Sequence, residues 1–419
     1  MREMKDSGVP WIGNMPADWE LVSVKRLFTI GRGRVIAQTE LDETGYPVYS
    51  SQTKDNGCLG YIDTYDYDYP QLTWTTDGAN AGSIFLRDGY YNCTNVCGTL
   101  NPIGDLVDLR YQKYALEHIA YNERRIDTNG YKIMNNEMAI IKTLLPPLSV
   151  QHHIADYLDI KCTQIDNIIL TEQAVIEKLQ EYKQSIITET ITKGLDSTTN
   201  MEYSGFKWLG NIPINCNIHS LKKVLLTPIT DGPHETPTLY DEGIPFVSAE
   251  SVKGGIINLD YKRGYISLKD HERFQKKVSP RKGDIFIVKS GATTGNIGIV
   301  TTDQVFDIWS PLALVRGDSS TVEQDFLYYQ LLSNIFRVQV EQGWSYGTQQ
   351  NIGMKVLGNI KVLIPPLESQ KNIVKYLDNK CSNMDTVIQK KHSLIDKLIE
   401  YKKSLIYEVV TGKKEVPHV

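Results

Sequence analysis

Three stretches carry residue types and spacings that could do chemistry, and each lacks one required group. Gly291-Ala292-Thr293-Thr294-Gly295 resembles a phosphate-cradling turn, but Asn296 stands where a P-loop needs its lysine. Asp284 to Lys289 has the outline of a metal-dependent nuclease strand, yet Ile287 occupies the place of the second carboxylate. His152-His153 falls at a helix start with no acidic or cysteine partner nearby in sequence. Cys93 and Cys97 are the one close cysteine pair, and neither a second pair nor a histidine cluster joins them, so reduced, buried thiols are expected rather than a metal site. There is no Gly-rich cofactor turn with a downstream acid, no Asp/Asn-Pro-Pro-aromatic run and no nucleophile–base pair. Such residues argue for binding, not catalysis.

The elements that would position a binding surface are repeated. Leu145-Pro146-Pro147-Leu148, Gln151, Ile154, Tyr157-Leu158-Asp159, Lys161-Cys162 and Asp166 return as Ile364-Pro365-Pro366-Leu367, Gln370, Ile373, Tyr376-Leu377-Asp378, Lys380-Cys381 and Asp385. Lys178-Leu179, Glu181-Tyr182-Lys183 and Ser185 match Lys397-Leu398, Glu400-Tyr401-Lys402 and Ser404. Both copies read as long helices entered through a Pro-Pro pair, which a first helical turn tolerates. Ile154, Ile168, Val175 and Tyr182 fall on one heptad register, with Leu158, Ile165, Leu179 and Ile186 on the other. The second copy matches them with Ile373, Val387, Leu394 and Tyr401, and with Leu377, Met384, Leu398 and Leu405. Charges break the seam at the same slots, Lys161 with Lys380 and Glu172 with Lys391. An antiparallel coiled coil of the two copies, with pseudo-twofold symmetry, is the expected closed arrangement. Ile154 to Ile186 would make a rod of roughly 50 Å.

Before each helix lies a separate block introduced by a Gly/Pro-punctuated strap, around Trp11 in one copy and Trp208 in the other. Block one predicts short strands at Tyr46–Tyr49, Gly60–Ile62, Leu72–Thr75 and Ser83–Leu86, then a helix from Leu109 to Tyr121. Block two predicts strands at Pro245–Ser248, Gly283–Lys289 and Ile297–Val300, then a helix from Phe326 to Val340. Turn residues separate these segments, and outside the lead-in the two blocks share little sequence. The fold class is therefore α+β, with small mixed or antiparallel sheets in two heads.

Composition sets further bounds. The net charge is −5, and residues 20–138 carry 11 Lys/Arg against 16 Asp/Glu while residues 217–355 carry 15 of each. Neither block has the basic footprint usual for a nucleic-acid binder, so local patches or partners would have to supply phosphate attraction. No apolar run approaches the roughly 20 residues that span a bilayer. The first residues lack an apolar signal region, so a cytoplasmic protein without membrane contact is expected.

The two-copy layout, the strand-turn Gly283-Asp284-Ile285-Phe286-Ile287-Val288-Lys289-Ser290-Gly291, and Gly347-Thr348-Gln349-Gln350-Asn351-Ile352 running into Leu363-Ile364-Pro365-Pro366-Leu367 together resemble the specificity subunit of type I restriction-modification systems. The resemblance covers essentially the whole chain. It implies a first target recognition domain with its strap at 1–143, a central spacer helix at 144–195, a second recognition domain at 196–362, a C-terminal spacer helix at 363–412 and a tail at 413–419. Each recognition domain would read one half of an asymmetric, bipartite sequence in double-stranded DNA. The helices would dock two modification subunits that methylate adenine with S-adenosylmethionine. Restriction subunits would add translocation and cleavage driven by ATP with Mg, in phage defence. No cofactor is expected in this chain, and none of these activities is its own.

Two departures matter. Val150 and Ser369 stand where the family often has Glu before Gln151 and Gln370, and Gly130 aligns with Gln349, so a DNA role for that glutamine transfers only to block two. A base reader needs paired donors and acceptors on short loops, with Arg or Lys suiting guanine and Asn or Gln suiting adenine. By that criterion the DNA-binding candidates in block one are Arg32, Arg34, Ser51, Gln52, Lys54 and Asn80. In block two they are His234, Glu235, Ser248, Lys289, Ser290, Thr293, Thr294, Gln349 and Gln350, with Lys289 and Gln349 foremost. Candidate subunit-interface residues on the helices are Tyr157, Leu158, Ile165, Leu179, Tyr182, Tyr376, Leu377, Met384, Leu398 and Tyr401. The rival reading is a non-enzymatic coiled-coil scaffold that binds other proteins, which the acidic first block favours.

Overall fold

The computed structural model describes residues 2–128, 130–343 and 350–417. Two compact units emerge: residues 1–172 with 392–419, and residues 173–391. Each therefore combines one block with part of both long helices, Leu148–Lys193 and Leu367–Val410.

In the first unit a four-stranded sheet runs in the order Phe28–Arg32, Cys97–Pro102, Gln71–Thr75, Ile84–Arg87, all antiparallel. Gln71–Thr75 is buried on both faces. The helix Leu109–Glu123 covers one face, placing Leu116, Ile119 and Ala120 against Leu72, Trp74, Ile84 and Leu100. Asp108 caps this helix by accepting from the amides of Arg110 and Tyr111. A second sheet orders Asn92–Cys93, Tyr46–Tyr49 and Cys58–Ile62, its first pairing parallel.

The second unit repeats this plan with different residues. Thr230–Asp231, Leu312–Val315, Ile285–Val288 and Ile297–Ile299 take the same order, extended by Ile256–Ile257 and Val252–Lys253. Asp307–Ile308, Ile244–Val247 and Gly264–Ile266 form the three-stranded counterpart, again with its first pairing parallel. The single helix expected over Phe326–Val340 is two, Gln324–Leu332 and Asn334–Gln342. Ser333 breaks it: its backbone is extended, and its buried hydroxyl donates to the Gln330 carbonyl at 2.6 Å.

The long helices pair antiparallel within each unit. In the first, Ile154, Leu158, Cys162 and Ile165 of the first helix share a core with Leu405, Val409 and Val410 of the second. In the second, Ile187 and Ile191 share one with Ile373, Leu377 and Cys381. Duplicated charges bridge the pair with roles exchanged: Lys402 to Asp166 at 2.7 Å in one unit, Lys183 to Asp385 at 2.6 Å in the other.

The seam itself needs correction. Ile168, Tyr182, Val387, Leu394 and Tyr401, assigned to one register, are exposed. So are Lys161 and Lys380, whose charges do not interrupt the packed face. The early part of each helix must cover its own block as well as its partner helix. Leu158 and Cys162 lie in one core with Tyr111, Tyr114 and Ala115, and this second partner rotates the apolar stripe away from a pure heptad seam.

Candidate nucleic-acid interface

The joint between block and helix is built twice from the same residues. Gln151 is buried at the start of the first long helix. Its Oε1 accepts from the Asp108 amide at 2.9 Å, and its Nε2 donates to the carbonyls of Leu106 at 3.0 Å and Pro146 at 2.9 Å. Gln370 does the same in the second unit, with the Glu323 amide at 2.8 Å and the carbonyls of Thr321 at 3.2 Å and Pro365 at 2.8 Å. Asp108 and Glu323 are the N-caps of the block helices, so each glutamine ties a long helix to the helix that covers its sheet. A tyrosine adds a second tie: Tyr114 donates to Asp159 at 2.8 Å and Tyr329 to Asp378 at 2.7 Å. Burial pushes both hydroxyls up, and the carboxylates push them further.

From these mounts the sheets project unlike loops. In the second unit the buried strand Ile285–Val288 delivers Lys289, whose side chain is 13% exposed and lies 3.0 Å from Asp231. Lys277 reaches the same carboxylate at 2.7 Å and His234 at 3.2 Å. Burial pushes the Asp231 carboxyl up, but hydrogen bonds from Lys277 and Lys289 outweigh it and hold it below the ordinary carboxylate range. Lys289 is thus oriented by an ion pair at the root of the Ser290–Gly295 turn. That turn meets the next loop, Ser290 bridging to Asn351 and the Gly291 amide donating to the Gln350 carbonyl at 3.2 Å.

In the first unit the same two positions are held differently. Arg32, at the place of Asp231, donates to the Asn95 carbonyl and to Thr76 Oγ1 at 3.3 Å, and Thr76 stands where Lys289 stands in the second unit. Arg34 pairs with Asp66 at 3.0 Å. Asn80 Nδ2 donates to the Ser51 carbonyl at 3.4 Å, bringing those two loops together, and Gln52 donates to the Cys58 carbonyl. Lys54 is exposed. The turn after Thr76 pairs with a hairpin, Arg125–Asp127 and Gly130–Lys132, registered Tyr131 to Gly78 and Lys132 to Asp77.

Several expected contacts do not face outward. Ser248 is buried at the start of a short 3-10 turn, where it faces Ser251, and Thr294 is buried with its hydroxyl donating to Gly291 at 2.7 Å and Gln350 at 3.1 Å. Thr294 is a turn residue satisfying nearby backbone, and Ser248 is shut away from solvent, its amide donating to the Ser251 hydroxyl, so neither is placed to reach a groove. His234, Glu235, Thr293 and Gln350 are exposed, with Glu235 paired to Arg273 at 3.2 Å, and Ser290 is half-buried. Gln349 lies outside the described residues. Among the interface candidates, Leu158, Ile165 and Leu377 are buried in this chain's own cores and cannot touch a partner. Tyr157, Leu179, Met384 and Leu398 are half-buried, while Tyr182, Tyr376 and Tyr401 are exposed. Among the described residues no cluster of His, Cys, Asp and Glu could hold a metal ion, and no helix is long and apolar enough to cross a membrane.

Comparison with known proteins agrees with this duplicated plan. The model of the type I restriction modification DNA specificity domain matches residues 16–181 and again 234–395. The chain is 26% identical to the type I restriction enzyme MjaVIII specificity subunit of Methanocaldococcus jannaschii, over 90% of this chain and 88% of that one. Its fold is similar to a chain from a solved type I R-M system, with TM-score 0.70, 15% identity, and 96% and 99% of the two chains covered. The HsdS subunit from Thermoanaerobacter tengcongensis gives TM-score 0.50 at 15% identity, covering 98% of this chain and all of that one. With the family model matched twice over more than half of its length, this chain is a member of the type I restriction modification DNA specificity family, whose role is that of the non-catalytic DNA-recognition subunit.

Proposed function

We propose that each unit reads one half of a split, asymmetric DNA target, and that the long helices set the unread gap between the halves. The observation that carries this reading is the contrast between mount and loop. Gln151 and Gln370 make the same three hydrogen bonds, while the turns they support hold Arg32 against a buried Thr76 in one unit and Lys289 against a buried Asp231 in the other. Identical mounts with different chemistry suit two readers of different sequences.

The helices also carry apolar side chains in water, among them Ile168, Leu170, Tyr182, Val387, Leu394 and Tyr401. These are the surfaces on which two modification subunits would dock. Those subunits would bring S-adenosylmethionine and flip the target adenine; restriction subunits would bring ATP and Mg. The assembly would work on cytoplasmic DNA.

The test is single-molecule sequencing of genomic methyladenine in cells with and without this gene, alongside its modification subunit. A bipartite motif that appears only with the gene supports the reading. Inserting one heptad at the middle of each long helix adds roughly 10 Å. The gap should then grow by about three base pairs.

A further inference from the structure

The hairpin after the block-one helix holds a cation in an unusual setting. Arg124 follows the last turn of Leu109–Glu123, and its guanidinium lies between two tyrosine rings, 3.7 Å from the Tyr121 centroid and 3.8 Å from that of Tyr131. The neighbouring cations are neutralised: Arg125 pairs with Glu137 at 2.6 Å and Asp127 at 3.0 Å, and Lys132 with Asp127 at 3.3 Å. The Thr128 amide, then Lys132, hold Asp127 low, at about 2, so these pairs persist at neutral pH. Arg124 alone of the three has no carboxylate, carbonyl or hydroxyl accepting from its guanidinium among the described residues.

Stacking on two rings fixes the guanidinium plane but uses none of its N–H donors, which lie at the edge of that plane. Both rings are exposed, and so is Ile126 beside them, at 81%. Tyr131 is registered against Gly78, in the loop that also carries Asn80. A pre-oriented fork of donors therefore sits beside a candidate reading loop, in a block whose overall charge is acidic.

We propose that Arg124, clamped by Tyr121 and Tyr131, is a DNA-contacting residue of the first unit, donating its paired N–H groups to a two-acceptor edge on the nucleic acid. Two DNA groups offer that chemistry, the O6/N7 edge of a guanine and the oxygens of a phosphate. The inference rests on the reading of each unit as a half-site reader. It adds a residue that this reading does not name.

The experiment uses the full chain assembled with its modification subunit and compares wild type, Arg124→Ala and Arg124→Lys. Thermal melting confirms that the half-exposed site leaves folding intact. If the fork meets guanine, Arg124→Ala relaxes one position of one half-site by on the order of tenfold or more, the other half stays unchanged, and lysine does not restore it. If it meets phosphate, Arg124→Ala weakens binding evenly across sequences, the slope of log affinity against log salt falls by about one, and lysine restores much of the loss. Tyr121→Leu, which removes one ring, should reproduce part of either effect. Unchanged affinity, motif and salt slope in Arg124→Ala, or base specificity relaxed at both half-sites together, overturns the proposal. A wild-type complex with no bipartite motif overturns the half-site reading instead, so the two failures are distinguishable.

Discussion

The two units place opposite charges at the same turn. Arg32 ends the first strand of one four-stranded sheet and Asp231 ends its counterpart. Each is followed by a glycine whose Cβ would collide with backbone, that of Cys93 and Thr94 at Gly33 and that of Ile308 and Trp309 at Gly232. So the chain path is fixed by close approach in both units while the side chain before it is free to reverse sign. At the joints the reverse holds: Gln151 and Gln370 keep their identity and their partners. Geometry is the same where each block is mounted, and chemistry differs at the turn proposed to read.

The largest effects are expected at the joints. Gln151→Ala and Gln370→Ala should each cost about 3 kcal/mol, because each strands one amide and two carbonyls away from water. Denaturant titration of the two variants should give similar losses. A large loss in one and none in the other would mean that the mounts are not equivalent.

Next comes the turn where the signs differ. Asp231→Asn leaves Lys277 and Lys289 facing each other without the carboxylate and should cost about 2 kcal/mol. Arg32→Ala, at an exposed site, should stay within about 0.5 kcal/mol. The acid dependence follows from the lowered Asp231 value. Its contribution is full above the ordinary value of 3.8 and is lost as pH falls through the lower folded one, so the melting curves of wild type and Asp231→Asn should converge in acid. Divergence on acidification would contradict the assignment.

The smallest effect belongs to the cross-helix pairs. Asp166 with Lys402, and Lys183 with Asp385, are half-exposed and should show coupling of about 0.5 kcal/mol in double-mutant cycles, reduced by salt. Equal coupling in the two pairs sharpens the claim that the helices exchange roles between units.

How much of this was legible in the sequence follows the same division. The duplication, both long helices, the antiparallel pairing and several strands could be read from repeated residues and turn punctuation, but inner strands such as Cys97–Pro102 and Leu312–Val315 could not. The seam register could not, since Leu158 and Cys162 serve a block and a partner helix at once and a heptad count allows only one partner. Ser248 and Thr294 have the right atoms for base reading, but the fold buries both, and the Thr294 hydroxyl bonds the backbone of its own turn. Arg124 is hard to pick out in the sequence because Tyr131 meets it only after the hairpin folds back. A cation ringed by tyrosines at sequence separations of three and seven is the signal that could have found it.

Two independent readers are the central claim, and Lys289→Ala tests it directly. Methyladenine sequencing of the variant complex should show one half of the motif relaxed or weakened and the other half unchanged, with the gap the same. Equal loss at both halves, in a variant that still folds, would contradict it.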